Sequence, residues 1–196
     1  CTLCEKGCNT TAWLKAKPEW ARGARLARMT PRFNPEVNGY WMCDVGRFNY
    51  HWIEGDGRLE HPLVRAGSAA QAQATWSQAL AALAERVVAA GGPSALRFLI
   101  SAHASLEELS VLGRLGGAFG LPEAGVAISW RTSVKSQPAN VKFKVPPVDA
   151  PNLRGARDLG FPVSANSSGE ADLSGFRADV EAGRVPALYV FDPGPE

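Results

Sequence analysis

Four cysteines are the residues of this chain whose type and spacing point most directly to chemistry. The chain opens with CTLCEKGC, and the next cysteine comes only in YWMCDVGRF. The pattern is therefore C-x2-C-x3-C-x34-C, over Cys1, Cys4, Cys8 and Cys43. Cysteines placed in this way can form disulfides, hold a zinc ion or hold an iron–sulfur cluster.

Disulfides and zinc both fit this pattern poorly. Disulfide frameworks belong to small scaffolds dense in cysteine, and 4 cysteines in 196 residues do not make one. Structural zinc sites are usually built from two close pairs of ligands, whereas the fourth cysteine here stands alone. The histidines also lack the nearby partner that zinc motifs show, and they are His51, His61 and His103. Zinc remains an alternative on these grounds.

An iron–sulfur cube makes a different demand, because each corner iron takes one thiolate from its own direction. One looping segment can reach three corners, and a cysteine from elsewhere in the chain can reach the fourth. The spacing differs from the compact ferredoxin run that ends in Cys-Pro. Basic side chains close in sequence, such as Lys6 and Arg47, would offset the cluster's negative charge and raise its potential. The residues thus favour a [4Fe-4S] cluster.

The segment that holds the cysteines has the composition of a small module. Residues 1–66 are rich in Trp, Asn, Pro and Gly and show little helical periodicity, which predicts loops and short strands. AGSAAQAQ is a plausible connector, so we divide the chain into a module of residues 1–66 and a domain of residues 67–196. Because the chain lacks an initial methionine and stops after a strand-like run, we expect both ends to lie within a longer polypeptide.

After the connector, helical and strand-like segments alternate. In TWSQALAALAERVV, Thr75 and Gln78 form a capping box, and Ser105 and Glu108 repeat it in SLEEL. ALRFLISA, GVAISW and PALYVFDP are typical of strands, and LSGFRADVEAGR before the last of them is helical. Such alternation predicts an α/β fold with a mainly parallel sheet.

Two parts of this domain carry further expectations. The apolar residues of the first helix recur at helical spacing, which predicts one buried face made of Trp76, Leu80, Leu83 and Val87. The stretch 131–169 is rich in Pro, Asn, Ser and Gly and fits no regular element. A long irregular segment in a compact domain is usually a functional loop or a sign that its elements are wrongly assigned.

Composition and charge exclude some classes of function. The net charge is +2, which is too small to indicate nucleic-acid binding, and no apolar run approaches the roughly 18 residues of a membrane span. No Ser/His/Asp arrangement or carboxylate pair calls for hydrolysis, so we predict no catalytic residue. The tryptophans of the module are expected to shield the metal site from water, and they are Trp13, Trp20, Trp41 and Trp52.

Together these motifs resemble a known family. CTLCEKGC, then VNGYWMCDVGRFNYHWIEGDGRLEHPLVR, then TWSQAL resemble the cluster-bearing domain shared by molybdopterin oxidoreductases and the large iron–sulfur subunit of respiratory NADH:quinone oxidoreductase (complex I). Downstream, LISAHASLEEL and KFKVPPVDAPNLRGARDLGFP look like the molybdopterin-type domain of that subunit. The resemblance spans nearly the whole chain and is most specific in its first third.

The resemblance implies a fold and a role. It implies that Cys1, Cys4, Cys8 and Cys43 bind a [4Fe-4S] cluster, in a small module followed by part of an α/β molybdopterin-oxidoreductase-like domain. Catalytic molybdenum members commonly carry a lysine two residues after the fourth cysteine, where this chain has Val45. That departure favours the complex I subunit, with no molybdopterin, over a molybdenum or tungsten enzyme such as a formate dehydrogenase.

Partners and location follow from the same resemblance. It implies a subunit of an NADH:quinone oxidoreductase without a complete active site on this stretch, used for electron transfer or support. The expected partners are other subunits of a membrane-associated complex, with no nucleic acid and no insertion into the bilayer. The expected location is cytoplasmic and peripheral to the inner membrane. A zinc-stabilised interaction domain is the further alternative.

Overall fold

The long gap between Cys8 and Cys43 is folded into an antiparallel hairpin, which returns the chain to its start. The computed structural model describes residues 1–17, 25–55 and 57–192. Strand β1 (Thr10–Leu14) begins just after Cys8 and pairs with β2 (Leu26–Pro31). Helix α1 (Asp44–Phe48) then starts directly after Cys43 and packs against β2.

A short turn and a ribbon complete the first third of the chain. A 3-10 turn, His51–Glu54, ends in a carboxylate that accepts hydrogen bonds from the Arg25 and Leu26 amides, the shortest 2.8 Å from Arg25. Strands β3 (Leu63–Arg65) and β4 (Gln71–Gln73) pair antiparallel. The prediction of loops and short strands is confirmed here. The division into 1–66 and 67–196 stays a prediction, because this ribbon straddles it.

The remaining strands form a three-stranded parallel sheet, as predicted. Its order is β6-β5-β7, from β5 (Leu96–Ser101), β6 (Val126–Ser129) and β7 (Ala187–Phe191). One face of the central strand lies in the core, where Leu96, Phe98 and Ile100 are buried, whereas Arg97 and Leu99 between them are half-buried. The α/β fold class is confirmed.

The helices begin where their capping residues predicted, but they differ in burial. α2 (Trp76–Ala89) and α3 (Leu106–Ala118) both start with a complete capping box. α3 buries Leu109 and Leu112 against the sheet. The buried face predicted for α2 is wrong: Trp76 is 72% exposed and every residue of the helix is half-buried or exposed. Val87 is the exception among the four predicted residues, because it is half-buried and packs against the core. α2 otherwise contacts mainly β3 and the 3-10 turn Pro93–Ala95, which cover little of its apolar face.

The irregular stretch after β6 lies along the carboxyl end of the sheet. It contains a short helix, α4 (Leu153–Asp158), and α5 (Ser174–Glu181) follows it before β7. Asn152 fixes α4 to the end of β5, because its backbone N–H donates to the Ala102 carbonyl and its side-chain amide donates to the Ala104 carbonyl, at 3.1 and 3.0 Å. We call residues 131–150 the docking segment, since they also contact the cysteine loop.

Candidate metal centre

The first three cysteines lie on one irregular loop that turns back on itself. The Gly7 N–H donates to the Cys4 carbonyl at 3.3 Å, and Gly7 has a φ of 63°, a left-handed conformation that glycine adopts without strain. Cys4 and Cys8 are buried, with 9% and 6% of their surface exposed, whereas Cys1 is half-buried. The loop therefore turns sulfur atoms inward without the support of a helix or strand.

The fourth cysteine lies at the start of a helix. Cys43 is the N-cap of α1, with φ −77° and ψ 162°, and its Sγ accepts a hydrogen bond from the Gly46 N–H at 3.3 Å. The helix thus offers one sulfur with a donor already aimed at it.

Gly46 is the place where the two ends of the motif meet. It is buried, and a Cβ added there would lie 3.3 Å from the Cys1 Sγ and 3.7 Å from the Cys43 Sγ. The Met42 Cε would lie at 3.3 Å as well. Because Gly46 has no side chain, the Cys1 and Cys43 sulfurs can both lie close to it.

Asn38 holds the two cysteine-bearing segments together. Its side chain is 3% exposed, and its carbonyl oxygen accepts from the Asn9 N–H at 3.0 Å. Its amide group donates to the carbonyls of Arg32 and Trp41, at 3.2 and 3.0 Å. The residue after Cys8 and the residues before Cys43 are thereby joined through one buried side chain.

Burial and mutual repulsion dominate the electrostatics of the sulfurs. Burial raises the pKa of the Cys4 thiol, while the Lys6 backbone N–H and the Lys135 charge oppose that rise. Burial also raises the pKa of Cys8, and the Cys4 and Cys43 sulfurs add to the effect. Three of the four sulfurs are therefore close enough to influence one another. Metal binding at such a site has to displace protons from the thiols.

The four cysteine side chains are not close enough together for three of them to share one metal ion. Within residues 1–17, 25–55 and 57–192, no three His, Cys, Asp or Glu side chains approach closely enough to hold one metal ion. A tetrahedral zinc with bonds of about 2.3 Å would require its sulfurs to lie about 3.8 Å apart. Cysteine thiolates suit zinc and an iron–sulfur cube alike, and in a cube each of the four would bind its own iron.

Of the tryptophans predicted to shield the metal site, the three that the structure describes are not buried. Trp13 is 46% exposed and hydrogen-bonds Thr30 on the hairpin, and Trp41 is 64% exposed. Trp52 is half-buried, and Trp20 lies outside the described residues. The buried Met42 lies next to Gly46, to which the Cys1 and Cys43 sulfurs are also close. Sequence reasoning also missed Asn38, whose only signal was its place shortly before the fourth cysteine.

The other polar candidates are accounted for by local structure. His51 and His61 are exposed, and the His103 Nδ1 lies 3.1 Å from the Ser101 Oγ at the end of β5. Burial lowers the pKa of His103. Arg154 and Asp158 form an exposed ion pair at 3.7 Å within α4. These groups do not converge on the cysteines.

Within the part of the chain that the structure describes, no helix has both the length and the apolar character needed to cross a bilayer.

Comparison with known proteins places the chain among redox proteins. It is 38% identical over 123 residues to NADH-quinone oxidoreductase subunit 3 of Thermus thermophilus, a match to 62% of this chain and 14% of that protein. It is also 34% identical over 92 residues to an NADH-quinone oxidoreductase subunit of Streptomyces coelicolor, covering 47% of this chain and 10% of the relative.

A third group of relatives carries another name. Proteins of Staphylococcus aureus named as candidate formate dehydrogenases are 30% identical over 118 residues, which is 59% of this chain and 11% of theirs. The chain thus spans a small part of each of these relatives. No protein-family model matches it. The resemblance expected from the cysteine motif and its neighbours is thus confirmed: the chain is similar to part of NADH-quinone oxidoreductase subunits and to part of proteins named as candidate formate dehydrogenases.

Proposed function

We propose that the chain binds one [4Fe-4S] cluster through Cys1, Cys4, Cys8 and Cys43. The observation that carries the proposal is the convergence of the motif's two ends on Gly46, with the Cys1 and Cys43 sulfurs on either side of it. The buried Cys4 and Cys8 supply the other two ligands from the same loop. Four thiolates from two segments are the donor set that a cube takes.

The residues around the sulfurs would adjust the cluster as well as hold it. Backbone N–H groups of Lys6 and Gly46 donate to the Cys4 and Cys43 sulfurs. Such hydrogen bonds withdraw charge from the thiolates, and together with burial they set the potential at which a cluster accepts an electron. The cluster would supply one-electron transfer, and the chain would fix its place and exclude water.

The role we propose is electron transfer or structural support within a complex of the NADH:quinone oxidoreductase type. Both named NADH-quinone oxidoreductase relatives are subunits, which supports a redox role in a larger assembly. In this proposal residues 1–66 form the cluster module and residues 67–196 form part of a molybdopterin-type domain. Other subunits would carry the NADH and quinone chemistry and would hold the chain at the membrane surface.

Metal analysis tests the cluster directly. Protein purified anaerobically should contain iron and acid-labile sulfide in equal amounts, at about four per chain. Cys43→Ser should remove or alter the low-temperature EPR signal of the reduced cluster. Val45→Ala is the matched control, because Val45 lies on the same helix, 60% exposed, and offers no ligand. Zinc at one per chain without iron or sulfide would refute the cluster and identify a zinc-stabilised domain.

A molybdenum or tungsten oxidoreductase is the second candidate, favoured by the 30% identity to proteins named as candidate formate dehydrogenases. Against it, Val45 occupies the position at which the resemblance implies a lysine in catalytic members. Molybdenum or tungsten at one per chain in the intact complex would establish this second candidate. Its absence, with the cluster present, would leave the electron-transfer role.

A further inference from the structure

The docking segment, residues 131–150, contacts the cysteine loop directly. The Glu5 N–H donates to the Val148 carbonyl at 3.2 Å, and Val148 is buried with 9% of its surface exposed. One residue further along the loop, the Lys6 ammonium lies over the Phe143 ring, 5.4 Å from its centre. The irregular segment that the sequence singled out therefore packs on the loop that offers three of the four sulfurs.

One lysine of this segment is fixed beside that contact. The Lys135 Nζ lies 2.6 Å from an Asp149 carboxylate oxygen and donates to the carbonyls of Pro146 and Pro147, at 2.6 and 3.1 Å. Its partners lie on both sides of Val148, the residue that receives the Glu5 N–H. The side chain is 23% exposed, so its charge is only partly screened by water.

The two charges act on the cysteine loop in opposite directions. Among the groups that influence the pKa of Cys4, the Lys135 ammonium lowers it and the Asp149 carboxylate raises it. Both charges of the pair therefore act on a buried sulfur, and they belong to the segment whose Val148 carbonyl accepts the Glu5 N–H, one residue after Cys4.

We propose that Lys135 is a positioning residue that raises the reduction potential of the cluster, and that Asp149 limits this effect. The proposal rests on the proposed function, since it requires a cluster on the four cysteines. Reduction adds one electron to an already anionic cluster without making or breaking a bond. A fixed ammonium stabilises the added charge, and a fixed carboxylate opposes it.

The test separates charge from structure by changing each half of the ion pair. Lys135→Met and Asp149→Asn break the same contact, but they change the local charge in opposite directions. In the cluster-loaded protein, titrated anaerobically with dithionite and followed by EPR, Lys135→Met should lower the midpoint potential. Asp149→Asn should raise it. Each shift should change the reduced-to-oxidised ratio at a fixed potential about tenfold, which is about 59 mV for one electron.

Two further variants complete the design. Lys135→Arg keeps the charge and should stay close to the wild-type potential. Asp179→Asn breaks a partly exposed ion pair of the same length, 2.6 Å to Arg184, at α5, and should leave the potential unchanged. If Lys135→Met does not fold, comparing the midpoint potentials of Asp149→Asn and Lys135→Arg still shows whether charge at this ion pair shifts the potential.

The outcomes distinguish this inference from the proposed function. Shifts of the same sign in Lys135→Met and Asp149→Asn would show that the pair only fixes the segment, and would overturn the role of charge. An unchanged midpoint potential in Asp149→Asn would also overturn the role of charge. Wild-type protein without iron and sulfide would instead refute the proposed function, whereas a normal cluster with unshifted potentials would refute this inference alone.

Discussion

Replacing Asn38 by alanine should loosen the joint between the segment that carries Cys8 and the segment that carries Cys43. The change removes the acceptor of the Asn9 N–H and the donors to the Arg32 and Trp41 carbonyls, in a place where the side chain is 3% exposed. Because backbone groups of both segments enclose this side chain, its loss leaves buried polar groups on each of them.

The expected magnitude follows from these contacts. A typical hydrogen bond contributes about 1 kcal/mol net, and a buried polar group left unpaired costs about 1–3 kcal/mol. One amide and three carbonyls lose a partner, and the third carbonyl, of Gly39, keeps a hydrogen bond from the Asn34 N–H. With some relief from entering water, local opening should become easier by about 3 kcal/mol. That energy corresponds to a factor of more than about one hundred in the opening equilibrium.

Hydrogen exchange of single amides measures this opening. The Arg32 and Trp41 amides are suitable probes, because they donate to the backbone carbonyls of Asn9 and Asn38, which alanine retains. Their exchange should accelerate about a hundredfold in Asn38→Ala. Cluster-loaded Asn38→Ala should also release iron to a chelator faster than wild type, since the ligand-bearing segments separate more often.

Two variants control for shape and for loss of any asparagine. Asn38→Asp has nearly the same shape and keeps the acceptor, but it turns an oxygen towards the Arg32 and Trp41 carbonyls, so it should be as damaging as alanine. Asn34→Ala removes an exposed acceptor of the Glu36 N–H and should change exchange only a few-fold. Exchange in Asn38→Ala within about threefold of wild type would refute the reasoning, as would an Asn38→Asp variant that behaves like wild type.

Three further outcomes are expected. Gly46→Ala should weaken cluster retention, measured as faster iron release to a chelator, because its methyl group would lie 3.3 Å from the Cys1 sulfur. Unchanged release would contradict this. Gly117→Ala, in α3 with open space at its Cβ, should instead stabilise the protein by about 0.5–1 kcal/mol, seen as a raised Tm. Because burial lowers the pKa of His103 in the folded state, the unfolded chain binds the proton more readily. Stability measured by urea unfolding should therefore fall as the pH drops below about 6.5, and His103→Gln should reduce that slope.

Local chemistry explains which elements were predictable. Thr75 with Gln78 and Ser105 with Glu108 specify helix starts through contacts three residues apart, so both helices begin where their sequences indicated. The strands of the sheet were also predictable, because their apolar runs lie between turn-forming residues. Burial of α2 was not, since the helical period only shows which face is apolar. Whether another element covers that face depends on the rest of the fold.

The candidate site was likewise predictable only in part. The identity and spacing of the four cysteines are properties of the sequence, and they were enough to predict a cluster and a family. The neighbours of the sulfurs were not, because they come from residues far apart in the chain. Asn38 joins the two cysteine-bearing segments, Gly46 lies between two of the sulfurs, and the docking segment that carries Lys135 packs on the loop.

The sequence by itself thus determined which donor atoms the chain offers, and a metal cluster was predicted from their type and number. Only the tertiary structure decided how those atoms meet. The β1–β2 hairpin returns Cys43 to the side of Cys1, and Gly46 leaves room between their sulfurs. The tertiary structure also decided that the docking segment brings the charge of Lys135 towards the cysteine loop. Electrostatic effects depend on distance in space and on burial, which the order of residues along the chain does not reveal.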